Sequence, residues 1–310
     1  MRRFPIVCAV SVLAASLTLI GTEQANATFP AKNGLIAFNA DTSNGAQLFT
    51  VQRNGHGLRQ ITHGPSQATT PDWSPDGQWL AYTLDECTIA LIRADGTDQH
   101  VIPTQTPPDG CDGDPAFTPD GDHLVFARFN PAIEEESVWI MDLNGDNERR
   151  IGTGPSGAAT PEVSPDGQTV TVLSATENDL NALFAIDING GTARQVSPTL
   201  WGIAFKHDWA PNGSRLVLSD NAGATPDKPT NLATIRPNGT GLRYLTDLQA
   251  PDQKALAGGY SPDGKWIVFR QENGAQNALK IVRTDGQGEQ TVLPFSSFKP
   301  RFIDWGPAAS

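Results

Sequence analysis

Pro71-Asp72-Trp73-Ser74-Pro75-Asp76-Gly77-Gln78-Trp79-Leu80-Ala81-Tyr82 joins an aromatic residue to a tight turn and then to a short apolar strand. The same unit returns as Pro115-Ala116-Phe117-Thr118-Pro119-Asp120-Gly121, Pro161-Glu162-Val163-Ser164-Pro165-Asp166-Gly167, His207-Asp208-Trp209-Ala210-Pro211-Asn212-Gly213 and Gly258-Gly259-Tyr260-Ser261-Pro262-Asp263-Gly264. Successive turn glycines lie 44, 46, 46 and 51 residues apart, which is the spacing of a repeat architecture. In each unit serine or its equivalent opens a type I turn, proline presets φ, and glycine accepts the positive φ that follows.

A second signature runs out of phase with the first. Apolar strands lead into Asn54-Gly55, Asp95-Gly96, Asn144-Gly145, Asn189-Gly190, Asn238-Gly239 and Asp285-Gly286, the strongest short-range hairpin signal. Six hairpins against five complete turns are reconciled at the ends. Asp304-Trp305-Gly306-Pro307 starts a unit, and Asn33-Gly34-Leu35-Ile36-Ala37-Phe38 supplies its remainder. The apolar runs, such as Ile89–Ile92 and Val138–Met141, are of strand length. The predicted fold is an all-β, six-bladed propeller of four-stranded antiparallel blades, its last blade closed by strands from the N- and C-terminal ends.

With these repeats the chain resembles the TolB-like propeller family, whose WD-like repeat carries the Pro-x-Trp-Ser-Pro-Asp-Gly turn and the later Asp-Gly hairpin. The resemblance spans about residues 33–307. It implies the fold and leaves function open, because one propeller scaffold hosts many activities. The protein that gives the family its name carries a separate α/β domain ahead of its propeller. Here only a few residues separate the expected cleavage site from the first strand, so no Tol-system partner is inferred.

Arg2 and Arg3 precede an apolar stretch from about Ile6 to Ile20, and Ala25-Asn26-Ala27 offers small residues at a cleavage site. Residues 1–27 are read as a secretory signal peptide and residues 28–310 as the propeller domain, exported to the periplasm or the extracellular space without a transmembrane anchor. The formal charge is -12, from 22 basic and 34 acidic residues. Loss of residues 1–27 removes Arg2, Arg3 and Glu23 and leaves 20 basic against 33 acidic residues, or -13. That sign argues against nucleic acid as a partner. Cys87 and Cys111 are the only cysteines outside the signal sequence. They fall in two loop classes that open on the same propeller face, and a disulfide between neighbouring blades is expected.

Subtracting the repeat isolates the candidate sites. Six of the seven tryptophans occupy repeated strand positions and are read as packing between blades. Trp201 falls outside the repeat, as an interface anchor or as an extension of the inner strand. Asp109, Asp112 and Asp114 cluster around Cys111, read as a hydrated acidic loop in preference to a calcium site. The residue before each inner-strand aromatic is Asp72, Ala116, Glu162, Asp208, Gly259 or Asp304. The acidic ones either accept hydrogen bonds from turn N–H groups or line the channel. The five histidines, His63 and His207 among them, show no zinc-binding spacing. No Gly-x-Ser-x-Gly element accompanies them.

Two functions follow. The first is an exported, non-catalytic propeller, without a cofactor, that binds a protein or other extracytoplasmic ligand. Its binding face carries His63, Asp109, Asp112, Asp114, Trp201, His207, Phe295, Phe298 and Lys299. The alternative is a metal-dependent enzyme acting on a carbohydrate or lactone, with Asp72, Glu162, Asp208 and Asp304 holding a divalent cation such as calcium.

Overall fold

The computed structural model describes residues 31–152, 157–175, 181–198, 206–220 and 228–309. Within them lie six four-stranded antiparallel sheets, each running from an innermost strand to an outermost one. The innermost strands are Ala68–Trp73 in blade 1, Cys111–Phe117 in blade 2, Ala159–Val163 in blade 3, Asp208–Trp209 in blade 4, Gln253–Tyr260 in blade 5 and Arg301–Pro307 in blade 6. Blade 6 is the seam. Its inner strand comes from the C-terminal end and its other three, Asn33–Thr42, Gly45–Val51 and Arg59–Gln60, from the N-terminal end. Ile36 pairs with Trp305 and Ala37 with Asp304.

The repeated turn is held as its residue types require. Ser74 Oγ donates to Asp76 Oδ1 at 2.6 Å, the same oxygen accepts from Gln78 N at 2.9 Å, and Gly77 N donates to the Ser74 carbonyl. Gly77 sits at φ 68. The hairpin glycines answer a second demand, close approach of the preceding blade. A Cβ on Gly145 would lie 1.9 Å from the Pro103 carbonyl oxygen. The turns and Asn/Asp-Gly hairpins share one end of the ring, here called the turn face, and the other end is the loop face.

The hydrophobic core is divided into six clusters, each between adjacent blades. Trp73, Trp209 and Trp305 are buried in three of them. Trp79, Trp139 and Trp266 are half-buried, and an arginine covers each: Arg93 at 4.4 Å, Arg128 at 4.6 Å and Arg53 at 4.8 Å from the ring centre. The expected cross-blade disulfide is present, with Cys87 bonded to Cys111.

One irregularity shapes the channel. The inner strands of blades 1, 2, 3 and 6 carry a bulge at the same place, for example between Thr69 and Asp72. Thr70, Asp114, Thr160 and Phe302, each two residues before the inner-ring position, have φ of 48, 51, 47 and 46. Non-glycine residues pay of order 1 kcal/mol or more for that region, so the surrounding ring must hold them there. The result is that both Thr70 and Asp72, and both Thr160 and Glu162, line the channel.

Candidate functional site

The channel gathers a group of buried titratable side chains. Asp72, Glu162, Asp208 and Asp304 stand at equivalent positions around it, and Lys206 lies among them with its Nζ 3.5 Å from Glu162 Oε1. Lys206 precedes Asp208 by two residues, the position occupied by Thr70 in blade 1 and Thr160 in blade 3. Lys206, almost fully buried, lines the channel together with Thr70 and Thr160. Gly259 occupies the ring position in blade 5. A Cβ there would approach both Asp208 Oδ2 and Asp304 Oδ1 to 3.1 Å, so a side chain at this place would crowd two carboxylates.

Three of the four carboxylates also tie blades together. Asp72 Oδ2 accepts from Phe117 N at 2.8 Å, Asp208 Oδ2 from Tyr260 N at 2.6 Å and Asp304 Oδ2 from Trp73 N at 2.9 Å. In every case the donor belongs to the inner strand of the next blade. This corrects the expectation of turn N–H donors: each carboxylate reaches sideways around the ring, and Asp208 and Asp304 use their Oδ1 to accept from the following N–H, of Trp209 at 2.7 Å and Trp305 at 2.9 Å. Asp114 repeats the device one step nearer the loop face, accepting from Thr160 N of blade 3 at 3.1 Å.

Burial pushes the Asp72 and Glu162 carboxyls well above the usual range; neighbouring carboxylates add to the rise and Lys206 opposes it. Asp208 is pushed up to about 7 by burial and by the charge of Asp304, against Lys206 and two backbone N–H groups. For Lys206 burial works toward neutrality, but the four carboxylates outweigh it and raise its pKa. The cluster thus retains protons near neutral pH and a permanent ammonium at its centre. Among the described residues no three His, Cys, Asp or Glu side chains are placed to hold a metal ion. The positive charge that these carboxylates face is Lys206.

The sequence-predicted residues divide between core and surface. His207 is fully buried between blades 3 and 4, where Nε2 meets Thr171 Oγ1 at 2.8 Å, and its pKa is pushed down to about 3 by burial and by Lys206. It is a neutral core histidine and not part of the loop-face surface. Asp112 is also fully buried, in a bidentate pair with Arg128 at 2.7 and 2.8 Å. Arg128 reaches Glu148 at 2.8 Å as well. The hydrated acidic loop therefore dissolves into parts: Asp112 is an internal anchor, Asp114 is bonded within the channel, and Asp109 alone is exposed. Phe298 packs edge-on to Phe38 and Phe49 at 5.8 and 5.2 Å, as part of the seam core. Lys299 pairs with Glu272 at 3.1 Å. His63 and Phe295 are exposed, the latter beneath Lys280 at 5.4 Å. Trp201 lies outside the described residues. Lys206 and Arg128 were missed by sequence reasoning. Only the repeat alignment, which puts Lys206 where other blades carry threonine, contained a signal for either.

The fold and channel define a six-bladed β-propeller built of four-stranded repeats. A family model described as the TolB beta propeller domain matches residues 97–309, and the chain belongs to that family. It is 25% identical over 190 residues to the uncharacterized peptidase YuxL of Bacillus subtilis, covering 50% of this chain and 29% of that protein. It is 26% identical over 145 residues to the Tol-Pal system protein TolB of Nitratidesulfovibrio vulgaris, covering 46% of this chain and 32% of the relative. The chain therefore matches about a third of the length of either relative. Among solved structures, TolB from Acinetobacter baumannii superposes with a TM-score of 0.72 at 20% identity, over 88% of this chain and 67% of that one. That likeness is one of fold. No helix among the described residues is long and apolar enough to cross a membrane.

Proposed function

We propose that this chain is an exported, non-catalytic propeller that binds a protein through its loop face. Export rests on the charged, apolar and small-residue order of residues 1–27. The binding reading rests on one observation: the hairpin joining His123–Asn130 to Glu135–Asp142 carries Ile133 at 62% exposure and Phe129 at 36%. Glu134, Glu135 and Glu136 follow Ile133 directly. The Cys87–Cys111 bond and the Arg128 ion pairs fix the strands beneath this tip. Rigid apolar side chains in an acidic setting suit a partner surface that is apolar at its centre and basic around it. The inner-ring carboxylates are engaged in joining blades and in holding Lys206, and the binding reading asks nothing of them.

The test is site-specific photocrosslinking in the producing cell. A photoreactive residue at Ile133 should give a discrete adduct whose mass identifies one protein, while the same group at Val101, exposed on the outer strand of blade 1, gives none. Equal adducts at both places would remove the proposal. Export is checked by N-terminal sequencing of the mature protein, expected to begin at Thr28.

A further inference from the structure

The repeat exposes a gap at the other end of the molecule. The second residue after the turn glycine is Trp79 in blade 1 and Trp266 in blade 5, each covered by an arginine, and Arg215 in blade 4. Arg215 fills its own site by bonding Thr234 Oγ1 at 2.9 Å and the Thr234 carbonyl at 3.0 Å. Blade 2 has His123 there instead, and beside it, between blades 2 and 3, lies a groove of 820 Å³. This volume is within the range of sites that hold ligands.

The groove has an apolar floor of Ile140, Met141 and Ile188 and a strongly acidic rim. Asp120, Asp122, Asp142 and Asp166 face a single guanidinium, Arg149, which is already bonded to the Ile188 carbonyl at 3.0 Å. The turns engage Oδ1 of Asp120 and of Asp166, while Asp142 Oδ1 lies 3.4 Å from His123 Nε2. Asn147 and Gln168 also line it, Asn147 Nδ2 donating to Asp142 Oδ2 at 2.7 Å and Gln168 Nε2 to the Asp166 carbonyl at 3.3 Å. Four carboxylates against one committed cation select a positive ligand, and the floor matches the methylene stem of a basic side chain. One such stem leaves most of the volume empty, so the occupant includes neighbouring backbone, whose N–H groups can donate to the amide oxygens of Asn147 and Gln168.

We propose that the groove between blades 2 and 3 on the turn face docks a lysine or arginine side chain of a partner polypeptide, together with the residues flanking it. The site stands at the end of the propeller opposite Ile133 and is independent of the loop-face reading.

The probes are capped heptapeptides with a central arginine or lysine flanked by leucine and glycine, and the same peptides with glutamine at the centre. Calorimetry on the full chain should show saturable one-to-one binding of the basic peptides and at least tenfold weaker binding of the glutamine forms. His123→Trp, which supplies the aromatic found in blades 1 and 5, should weaken binding at least tenfold with the melting temperature unchanged. Asp122→Lys, whose side chain takes no part in the turn, should do the same and serves if the first variant folds poorly. Undiminished binding by both variants would overturn the proposal, as would the absence of saturable binding. Cadaverine binding as tightly as the peptides would overturn the polypeptide assignment in favour of a free amine. Crosslinking at Ile133 should be unaffected by His123→Trp, so failure of either reading is told apart from failure of the other.

Discussion

Replacing Asp208 with asparagine isolates the titration of one channel carboxyl. Its pKa rises from the ordinary 3.8 to about 7 in the folded state. Between those values the native protein binds a proton that the unfolded chain releases, so this group makes stability fall as pH rises through that window. His207 works in the opposite direction. Its folded pKa of about 3 lies below the ordinary 6.5, so stability falls as pH drops and the unfolded imidazole charges. The two slopes oppose each other in the wild type, but the difference between wild type and Asp208→Asn cancels the histidine. From pH 5 to 8 the carboxyl passes through about two pH units of unequal proton binding, worth roughly 3 kcal/mol at about 1.36 kcal/mol per unit. The channel retains some solvent, and the neighbouring Asp304 relaxes when the repulsion is lost, which reduces this to about 2 kcal/mol. The variant should therefore gain about 2 kcal/mol on the wild type between pH 5 and pH 8, or ~5 °C in melting temperature for a domain of this size. Urea unfolding at both pH values measures it. Stability differences that agree within about 0.5 kcal/mol at the two pH values would refute the argument that Asp208 is buried beside like charge.

Lys206→Met removes the one ammonium that, among the described residues, faces the four carboxylates and should cost about 3 to 5 kcal/mol at pH 8, with a smaller loss at pH 5, where burial keeps more of Asp72, Glu162 and Asp208 protonated; thermal unfolding at each pH checks it. Cys87→Ser with Cys111→Ser opens a loop whose ends are 24 residues apart and should cost about 3 kcal/mol, read as a lower urea midpoint with a steeper slope, because the freed unfolded chain exposes more surface. Because Lys206 stands among Asp72, Glu162, Asp208 and Asp304, chelator-treated protein is expected to melt at the same temperature with or without calcium, magnesium or manganese. A saturable rise, abolished by Asp72→Asn, would instead make the channel a cation site.

The blades were legible because each carries two turn signatures whose backbone needs are stringent. Ser-Pro-Asp-Gly and Asn-Gly leave few alternatives at Gly77 or Gly145, and the halves at Asn33 and Asp304 could be joined only as a seam. Cys87 and Cys111 could be placed on one face for the same reason. Side-chain direction was less legible. Alternation assigns a face to a residue in a regular strand, but the inner strands bulge between Thr69 and Asp72 and at the equivalent places. Lys206 lies outside any assigned strand, so alternation gives it no face, yet it lines the channel. The bulge also separates Asp112, which pairs inward with Arg128, from Asp114, which faces the channel. His207 and Phe298 precede or follow loop residues in sequence, yet their rings are drawn into cores between blades. Burial of that kind depends on the neighbouring blade, which no local pattern encodes.

The seam has a temporal meaning. Trp73 N bonds to Asp304 across 231 residues, and Trp305 Nε1 to the Gly34 carbonyl across 271. Arg301–Pro307 is the last of the described strands to be translated, and until it arrives blade 6 lacks its inner strand and blade 1 lacks the carboxylate that holds it to its neighbour. Contacts of such sequence separation form slowly, because the intervening chain must be brought together before they contribute. Stable closure is thereby postponed until the last of these strands has been made, and until then the ring stays open at the junction of blades 6 and 1.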